Sequence, residues 1–203
     1  MSQAVSRVVL ATRNQGKIAE LRALLADFGP EVVGLDAFPD IGPIPETGAT
    51  FLENARQKAA AVCQATGCVS LADDSGLCVD ALAGAPGVYS ARYAGKQATD
   101  AANNAKLLAA MADVPEEKRT CRFVCVLVAL APDGRELTAT GAWEGRLALA
   151  PDGEAGFGYD PLFFDPECGT TAARLTSAAK NARSHRGKAL TALLAQWPAF
   201  WRP

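Results

Sequence analysis

RTCRFVCVLVALAPDG, residues 119–134, is a long β-branched and apolar run that ends on a strong turn signal, Pro132-Asp133-Gly134. A return strand starts near Leu137 and continues through Thr140 and Trp143 towards Leu149. Together these segments read as a long antiparallel hairpin. Upstream, residues 8–12 form a short apolar run ending in a polar turn, which predicts a buried strand. Asn14 then opens a helix whose apolar positions Ile18, Leu21, Leu25 and Phe28 recur at helical spacing until Gly29-Pro30 stops it. Residues 31–35 read as the next strand, followed by a loop through Pro39, Pro43 and Pro45. A second helix is expected over 50–65, with Phe51, Ala55, Ala59 and Val62 on one face and Gly67 beyond its end.

Residues 69–72 form a strand that runs into Asp73-Asp74-Ser75-Gly76. Residues 84–95 are a loop rich in Gly, Pro and Tyr, and residues 100–111 are helical, with Leu107, Leu108 and Met111 apolar. After the hairpin, a Gly-rich loop at 153–160 precedes a short strand at 162–164. Residues 177–196 read as mostly helical, broken near Gly187. There is no internal repeat, low-complexity tract or flexible linker. The mixed pattern argues for an α/β fold with a long mixed sheet.

The chain has 203 residues, 49% of them hydrophobic, enough for a sizeable core in one domain over 1–203 or a single domain with two lobes. With 20 Lys+Arg against 22 Asp+Glu the net charge is −2, which argues against broad binding to nucleic acid or an anionic membrane. A local basic pocket is compatible with that balance. Residues 1–6 are mostly polar and lack the pattern of a secretory signal, and no window approaches the roughly 20 apolar residues that span a bilayer. A cytoplasmic location is expected, with no membrane partner and no nucleic-acid partner. The six cysteines form no CxxC, and the single histidine, His185, leaves no Cys/His quartet, so a structural zinc site is not expected. The cysteines are expected to be reduced, most of them as small buried hydrophobes.

Four segments have residues suited to chemistry. Thr12-Arg13-Asn14-Gln15-Gly16-Lys17 lies at a strand-to-helix junction. Free backbone N–H groups at a helix N-terminus attract phosphate, and Lys17 adds a cation one turn in. It is not a standard P-loop, and alone it also fits a capped helix with a solvated lysine. Asp73-Asp74-Ser75-Gly76 follows a strand; adjacent acids there project in different directions, so one can face a divalent cation while the other orients or caps. Mg²⁺ suits such oxygen ligands, and Glu46 or Glu53 offers a further carboxylate. The same four residues also fit a plain turn.

Gly156-Phe157-Gly158-Tyr159-Asp160-Pro161 brackets an aromatic ring with glycines. The backbone there can approach a ligand closely, an exposed ring can stack on a base, and Asp160 can accept from base N–H groups. An aromatic anchoring a hairpin loop is the alternative. Lys180 and Ser184-His185-Arg186-Gly187-Lys188 gather donors suited to a phosphate or the keto edge of a purine, or else form a solvated basic helix.

In combination these segments resemble the inosine triphosphate pyrophosphatase family, the house-cleaning enzymes that remove deaminated purine nucleotides. The matching stretches are residues 10–17 (LATRNQGK), 46–55 (ETGATFLENA), 72–77 (ADDSGL), 84–93 (GAPGVYSARY), 156–161 (GFGYDP) and 184–187 (SHRG), in the family's order from end to end of the chain. The resemblance implies an elongated mixed sheet with flanking helices forming two lobes around a central substrate cleft, and a homodimer. It implies that Thr12, Asn14 and Lys17 form a phosphate-binding turn, with Arg13, Gln15 and Gly16 in the same segment and Arg13 standing where some members have Gly. It implies that Asp74 is the proton acceptor and a metal ligand, with Glu46 near the metal, Ser75 touching substrate and Lys58 on a phosphate. Phe157 resembles the base-stacking ring, in a loop whose Gly158 and Tyr159 also border substrate, while Asp160, Lys180, His185 and Arg186 resemble base-edge contacts.

The activity this implies is Mg²⁺-dependent hydrolysis of ITP, dITP and XTP to monophosphate and pyrophosphate. Asp74 would position or deprotonate water for attack on the α-phosphorus, with Arg186, His185 and backbone amides near Gly158 donating to the purine 6-keto oxygen. A non-catalytic nucleotide sensor, a nucleic-acid-binding protein and a pyrophosphatase for modified pyrimidine nucleotides are the competing readings.

Overall fold

The computed structural model describes residues 7–201. The polar segment 1–6 lies outside the described residues. In chain order the main elements are β1 (Arg7–Leu10), α1 (Gln15–Leu25), β2 (Glu31–Val33), α2 (Phe51–Thr66), β3 (Val69–Val79), α3 (Asp100–Ala110), β4 (Thr120–Leu130), β5 (Glu136–Leu147), β6 (Phe163–Asp165), β7 (Thr170–Thr171), α4 (Ser177–Arg183) and α5 (His185–Phe200). The strands make one sheet in the order β2-β1-β3-β4-β5-β6-β7. β1 pairs in parallel with β2 and β3, whereas β6 runs antiparallel to β5 and β7, so the sheet is mixed as the sequence pattern predicts. The parallel end needs helical crossovers, and α1 and α2 supply them.

Local signals place most of these elements. Asn14 caps α1, its side chain accepting from the Lys17 amide at 3.1 Å. Thr50 caps α2, and Gly67 ends it in a left-handed conformation. The turn between β4 and β5 closes with the Gly134 amide on the Ala131 carbonyl at 2.9 Å. β5 then alternates, burying Leu137, Ala139, Trp143 and Leu147 on one face.

Three expectations need correction. Asp73-Asp74-Ser75-Gly76 is not a turn after a short strand, because β3 runs through it over 11 residues. Within it, Asp73 and Asp74 meet partners distant in sequence, Lys17 for the first and Asn54 and Lys58 for the second. The C-terminal helix breaks at Ser184, whose ψ of 153° is extended, not at Gly187. Gly187 lies within the first turn of α5, where an added Cβ would stand 2.1 Å from the Asn181 carbonyl oxygen. Glu53 is no free carboxylate: it closes a capping box, accepting from the Ala49 and Thr50 amides at 2.6 and 3.1 Å.

Two compact units divide the chain. The described residues of Met1–Asp74, Val126–Thr140 and Ala189–Pro203 form the first, and Ser75–Cys125 with Gly141–Lys188 the second. In the first, Val9, Leu35 and Val62 are buried, with Phe38, Ile41 and Ile44 packed against them. The second centres on Phe123, Trp143 and Phe163; the Phe163 ring is 4.7 Å from each of the other two. Beneath these rings Asp165 accepts from Trp143 Nε1 at 3.0 Å and from Arg183 Nε at 2.7 Å. Arg119 is buried with its guanidinium donating to the carbonyls of Met111, Val114, Leu147 and Ala148, which ties the end of α3 to the end of β5. No disulfide joins the cysteines, and Cys63, Cys121 and Cys125 are buried. Among the described residues no helix is long and apolar enough to cross a membrane.

Candidate active site

In the first unit, the capping box fixes where α2 begins, and so which residues face β3. Asn54 and Lys58 are one turn apart and share that face. Asn54 Nδ2 donates to Asp74 Oδ2 at 3.0 Å, and Lys58 Nζ approaches Asp74 Oδ1 at 3.4 Å. The same ammonium donates to Glu46 Oε1 at 2.7 Å. Glu46 is held there by its loop: the Gly48 amide donates to Asn54 Oδ1 at 2.8 Å and the Thr47 amide to Gln57 Oε1 at 3.2 Å.

Two carboxylates thus share one largely buried ammonium, its side chain 12% exposed. Burial pushes the Asp74 carboxyl upward, aided by the Glu46 charge, and this outweighs the lowering by Lys58 and Asn54. Burial alone would lower Lys58, but its hydrogen bond to Glu46 and the field of Asp74 reverse that and leave it raised. Two carboxylates against one ammonium leave the cluster with negative charge in excess of its cation. A further cation is therefore favoured. Among the described residues no group of three or more His, Cys, Asp or Glu side chains is arranged to hold a metal. Glu46 and Asp74 fit a divalent ion that takes one or two carboxylates and completes its shell with phosphate and water oxygens.

Strand alternation sends Asp73 the other way. It meets Lys17 of α1, Nζ to Oδ2 at 2.6 Å, so the lysine expected at the phosphate turn is neutralised by its neighbour on β3. The rest of that turn is ordered by side chains. Thr12 Oγ1 accepts from the Asn14 amide at 3.1 Å, Arg13 donates to the Ile41 carbonyl at 2.7 Å, and Gln15 donates to Asp36. Gly16 lies against the Asn14 side chain, an added Cβ being 3.2 Å from Oδ1. Ser75, the next residue of β3, is exposed.

In the second unit, Phe157 is 76% exposed, although it is among the largest apolar side chains. Lys180 Nζ stands 4.8 Å from its ring centroid. The lysine also pairs with Asp160, which is 3% exposed and accepts from the Phe157 amide at 2.8 Å. Asp160 therefore binds both the loop and Lys180, and its carboxylate is turned inward. Gly156 makes room for it: φ is +85° and an added Cβ would stand 2.1 Å from Asp160 Oδ2.

Tyr159, expected among the substrate contacts, has its side chain in the core instead, its hydroxyl donating to the Ser90 carbonyl at 2.8 Å. The Gly158 amide donates to Asp100 Oδ2 at 2.6 Å, so it is not a spare donor for a purine keto group. His185 stacks on Phe123 at 4.9 Å and 17°, and Arg186 follows it in the first turn of α5. The structure thus assembles Glu46, Lys58 and Asp74 in one cluster and Phe157, Asp160 and Lys180 in another. Asn54 is the functional neighbour that sequence reading missed. Its signal was a polar residue one turn before Lys58 and beside the apolar positions Phe51, Ala55 and Ala59; in the fold it is fully buried.

A profile of the Ham1 family matches residues 8–196. The chain belongs to the Ham1 family. It is 60% identical to the dITP/XTP pyrophosphatase of Nitratidesulfovibrio vulgaris over 201 residues, which cover 96% of this chain and 97% of that protein. It is 53% identical to the dITP/XTP pyrophosphatase of Streptomyces coelicolor, covering 94% of this chain and 96% of the relative. Among solved structures, a HAM1 protein from Coxiella burnetii superimposes with a TM-score of 0.91 at 43% identity, covering 96% of this chain and 99% of that one. Membership of the Ham1 family and the α/β fold with a mixed sheet agree with the resemblance drawn from the motifs.

Proposed function

We propose that this chain hydrolyses deaminated purine nucleoside triphosphates, ITP, dITP and XTP, to the monophosphate and pyrophosphate, so keeping them out of nucleic acids. The relatives named dITP/XTP pyrophosphatase support the substrate class. The observation that carries the chemistry is Lys58 bridging Glu46 and Asp74. A partly buried carboxylate with raised proton affinity, held by donors on both oxygens, is suited to orient water and accept its proton. Water attacks the α-phosphorus, the bond from that phosphorus to the bridging oxygen breaks, and pyrophosphate leaves. Lys58 and Lys17 then offset charge on the phosphates, each released from a carboxylate partner as substrate arrives. Asp74 and Glu46 would hold Mg²⁺, which when bound supplies charge neutralisation at the phosphates.

Phe157 stacks on the base, and Lys180, His185 and Arg186 face its edge. Asp160 acts by holding Lys180 and the Phe157 amide, and Ser75 and the turn at residues 12–17 border the phosphates. A homodimer and a cytoplasmic location belong to the same reading, the dimer supported by the resemblance alone. Sedimentation tests the dimer; a single species of monomer mass excludes it. The decisive assay is a nucleotide panel scored for pyrophosphate against orthophosphate, with and without Mg²⁺. Orthophosphate as the product from ITP would refute the proposal.

A further inference from the structure

Phe157 poses a mechanical problem. An exposed ring has little packing to fix its direction, so the backbone on either side must do it. The Phe157 amide is tied to Asp160. The next residue, Gly158, has a left-handed φ of +61° and is held at both polar atoms by one helix. Its N–H donates to Asp100 Oδ2 at 2.6 Å, and its carbonyl accepts from Asn104 Nδ2 at 3.0 Å. Asp100 and Asn104 are four residues apart on α3, hence on one face.

α3 is itself well anchored. Thr99 caps it, Asn103 binds the Ala94 amide at 2.8 Å and the Ala91 carbonyl at 3.3 Å, and Arg119 takes up the Met111 carbonyl just past its end at 2.7 Å. Asn104 Oδ1 is buried without a hydrogen-bond partner. A residue kept for stability alone gains little from an unsatisfied buried acceptor. Its amide orientation is set by the demand of the Gly158 carbonyl for a donor.

We propose that Asp100 and Asn104 are positioning residues that clamp Gly158 and thereby hold the Phe157 ring where it stacks on the base of the substrate. The inference rests on the stacking role given to Phe157 under Proposed function. Neither residue touches the nucleotide. Their effect passes through the peptide plane between Phe157 and Tyr159.

The test is a double-mutant cycle on Asp100→Ala and Phe157→Ala, with KM for ITP and kcat read by pyrophosphate release. Loss of a hydrogen bond to a charged acceptor predicts KM up about tenfold in Asp100→Ala, with a smaller fall in kcat. Because Asp100 acts only through the ring, the double variant should have the KM of Phe157→Ala. Asp100→Asn keeps an acceptor and should restore KM, whereas a role as a first-turn acid would not be rescued. Exchange of the Gly158 amide, followed by NMR without any nucleotide, should quicken about tenfold in Asp100→Ala and stay slow in Asp100→Asn. If Asp100→Ala does not fold, Asn104→Ala takes its place in the cycle. Additive effects on KM, or an unchanged Gly158 exchange rate, overturn the clamp while leaving the activity standing. A wild type that releases no pyrophosphate from ITP overturns the function itself, and that is seen before any variant is compared.

Discussion

Asn54 donates its side-chain N–H to Asp74 Oδ2 at 3.0 Å while its own oxygen accepts from the Gly48 amide at 2.8 Å, so one buried amide sets both the carboxylate and the loop that carries Glu46. That bond lowers the proton affinity of Asp74 against the dominant effect of burial. Asn54→Ala removes it, and Asp74 should then hold its proton to higher pH. The acid limb of the kcat/KM profile is expected to move upward in pH with the fold retained. An unmoved acid limb would show that Asp74 is not the titrating base.

Asp74→Asn keeps the shape and loses the base. Activity should fall by on the order of a hundredfold or more, as removal of a positioned general base requires. Unfolding should remain cooperative, because Lys58 keeps Glu46 and Asn54 keeps Gly48. Turnover above a few per cent of wild type would move the catalytic role to another group.

Much of this was legible in the sequence, for local reasons. Asn14, Thr50, Gly67 and Pro132-Asp133-Gly134 act on their immediate neighbours, so they announce the same helix and hairpin boundaries that the structure has. The strand expected over 69–72 runs on through Asp73 and Asp74, whose partners are remote: Lys17, 56 residues away, and Asn54 and Lys58, 20 and 16 away. Glu53 and Tyr159 were misassigned. A carboxylate in a helix's first turn and a tyrosine in a Gly-rich loop look alike in sequence whether they face a ligand, a cap or the core. The carbonyl of Ser90, 69 residues away, decides the second case.

Asp165 tests the frame beneath the second unit. Burial would raise its carboxyl, but Arg183, Trp143 and the amides of Glu167 and Cys168 outweigh that and hold it at about 2. A carboxyl lowered in the fold stabilises above its unfolded value near 3.9 and loses that contribution as pH falls through the folded value. Urea unfolding should therefore show wild type losing about 2 kcal/mol from this group between roughly pH 4 and pH 2. Asp165→Asn should be less stable at neutral pH and flatter across that window. Parallel curves for the two proteins would assign the acid sensitivity elsewhere.

Phe157→Ala should raise KM for every purine substrate by about tenfold, since base–aromatic stacking contributes on the order of 1–3 kcal/mol and tolerates different bases. Stability should barely change, because a ring 76% exposed contributes little burial. The mutation also removes the face over which Lys180 lies, leaving the lysine to Asp160 alone. Unchanged KM and kcat would make Phe157 a loop anchor.

The discrimination between ITP and ATP bears most directly on the substrate class. The 6-keto oxygen of hypoxanthine accepts hydrogen bonds, whereas adenine presents an amino group at that position. The Gly158 amide donates to Asp100 and is not counted among the donors to the keto oxygen; under the proposed function that oxygen meets the side chains of Arg186 and His185. Against ATP a donor would face a donor, and a site built for such a bond rejects the wrong analogue by ~10⁴ in favourable cases. GTP shares the keto group and must be excluded at its 2-amino group by shape or polarity, which is the weaker penalty. ITP, dITP and XTP should thus be far better substrates than ATP, and GTP should be rejected less strongly than ATP. Arg186→Ala is expected to narrow the ITP/ATP ratio of kcat/KM mainly by lowering the value for ITP. Equal wild-type kcat/KM for ITP and ATP would defeat the deaminated-purine assignment even with pyrophosphate as product.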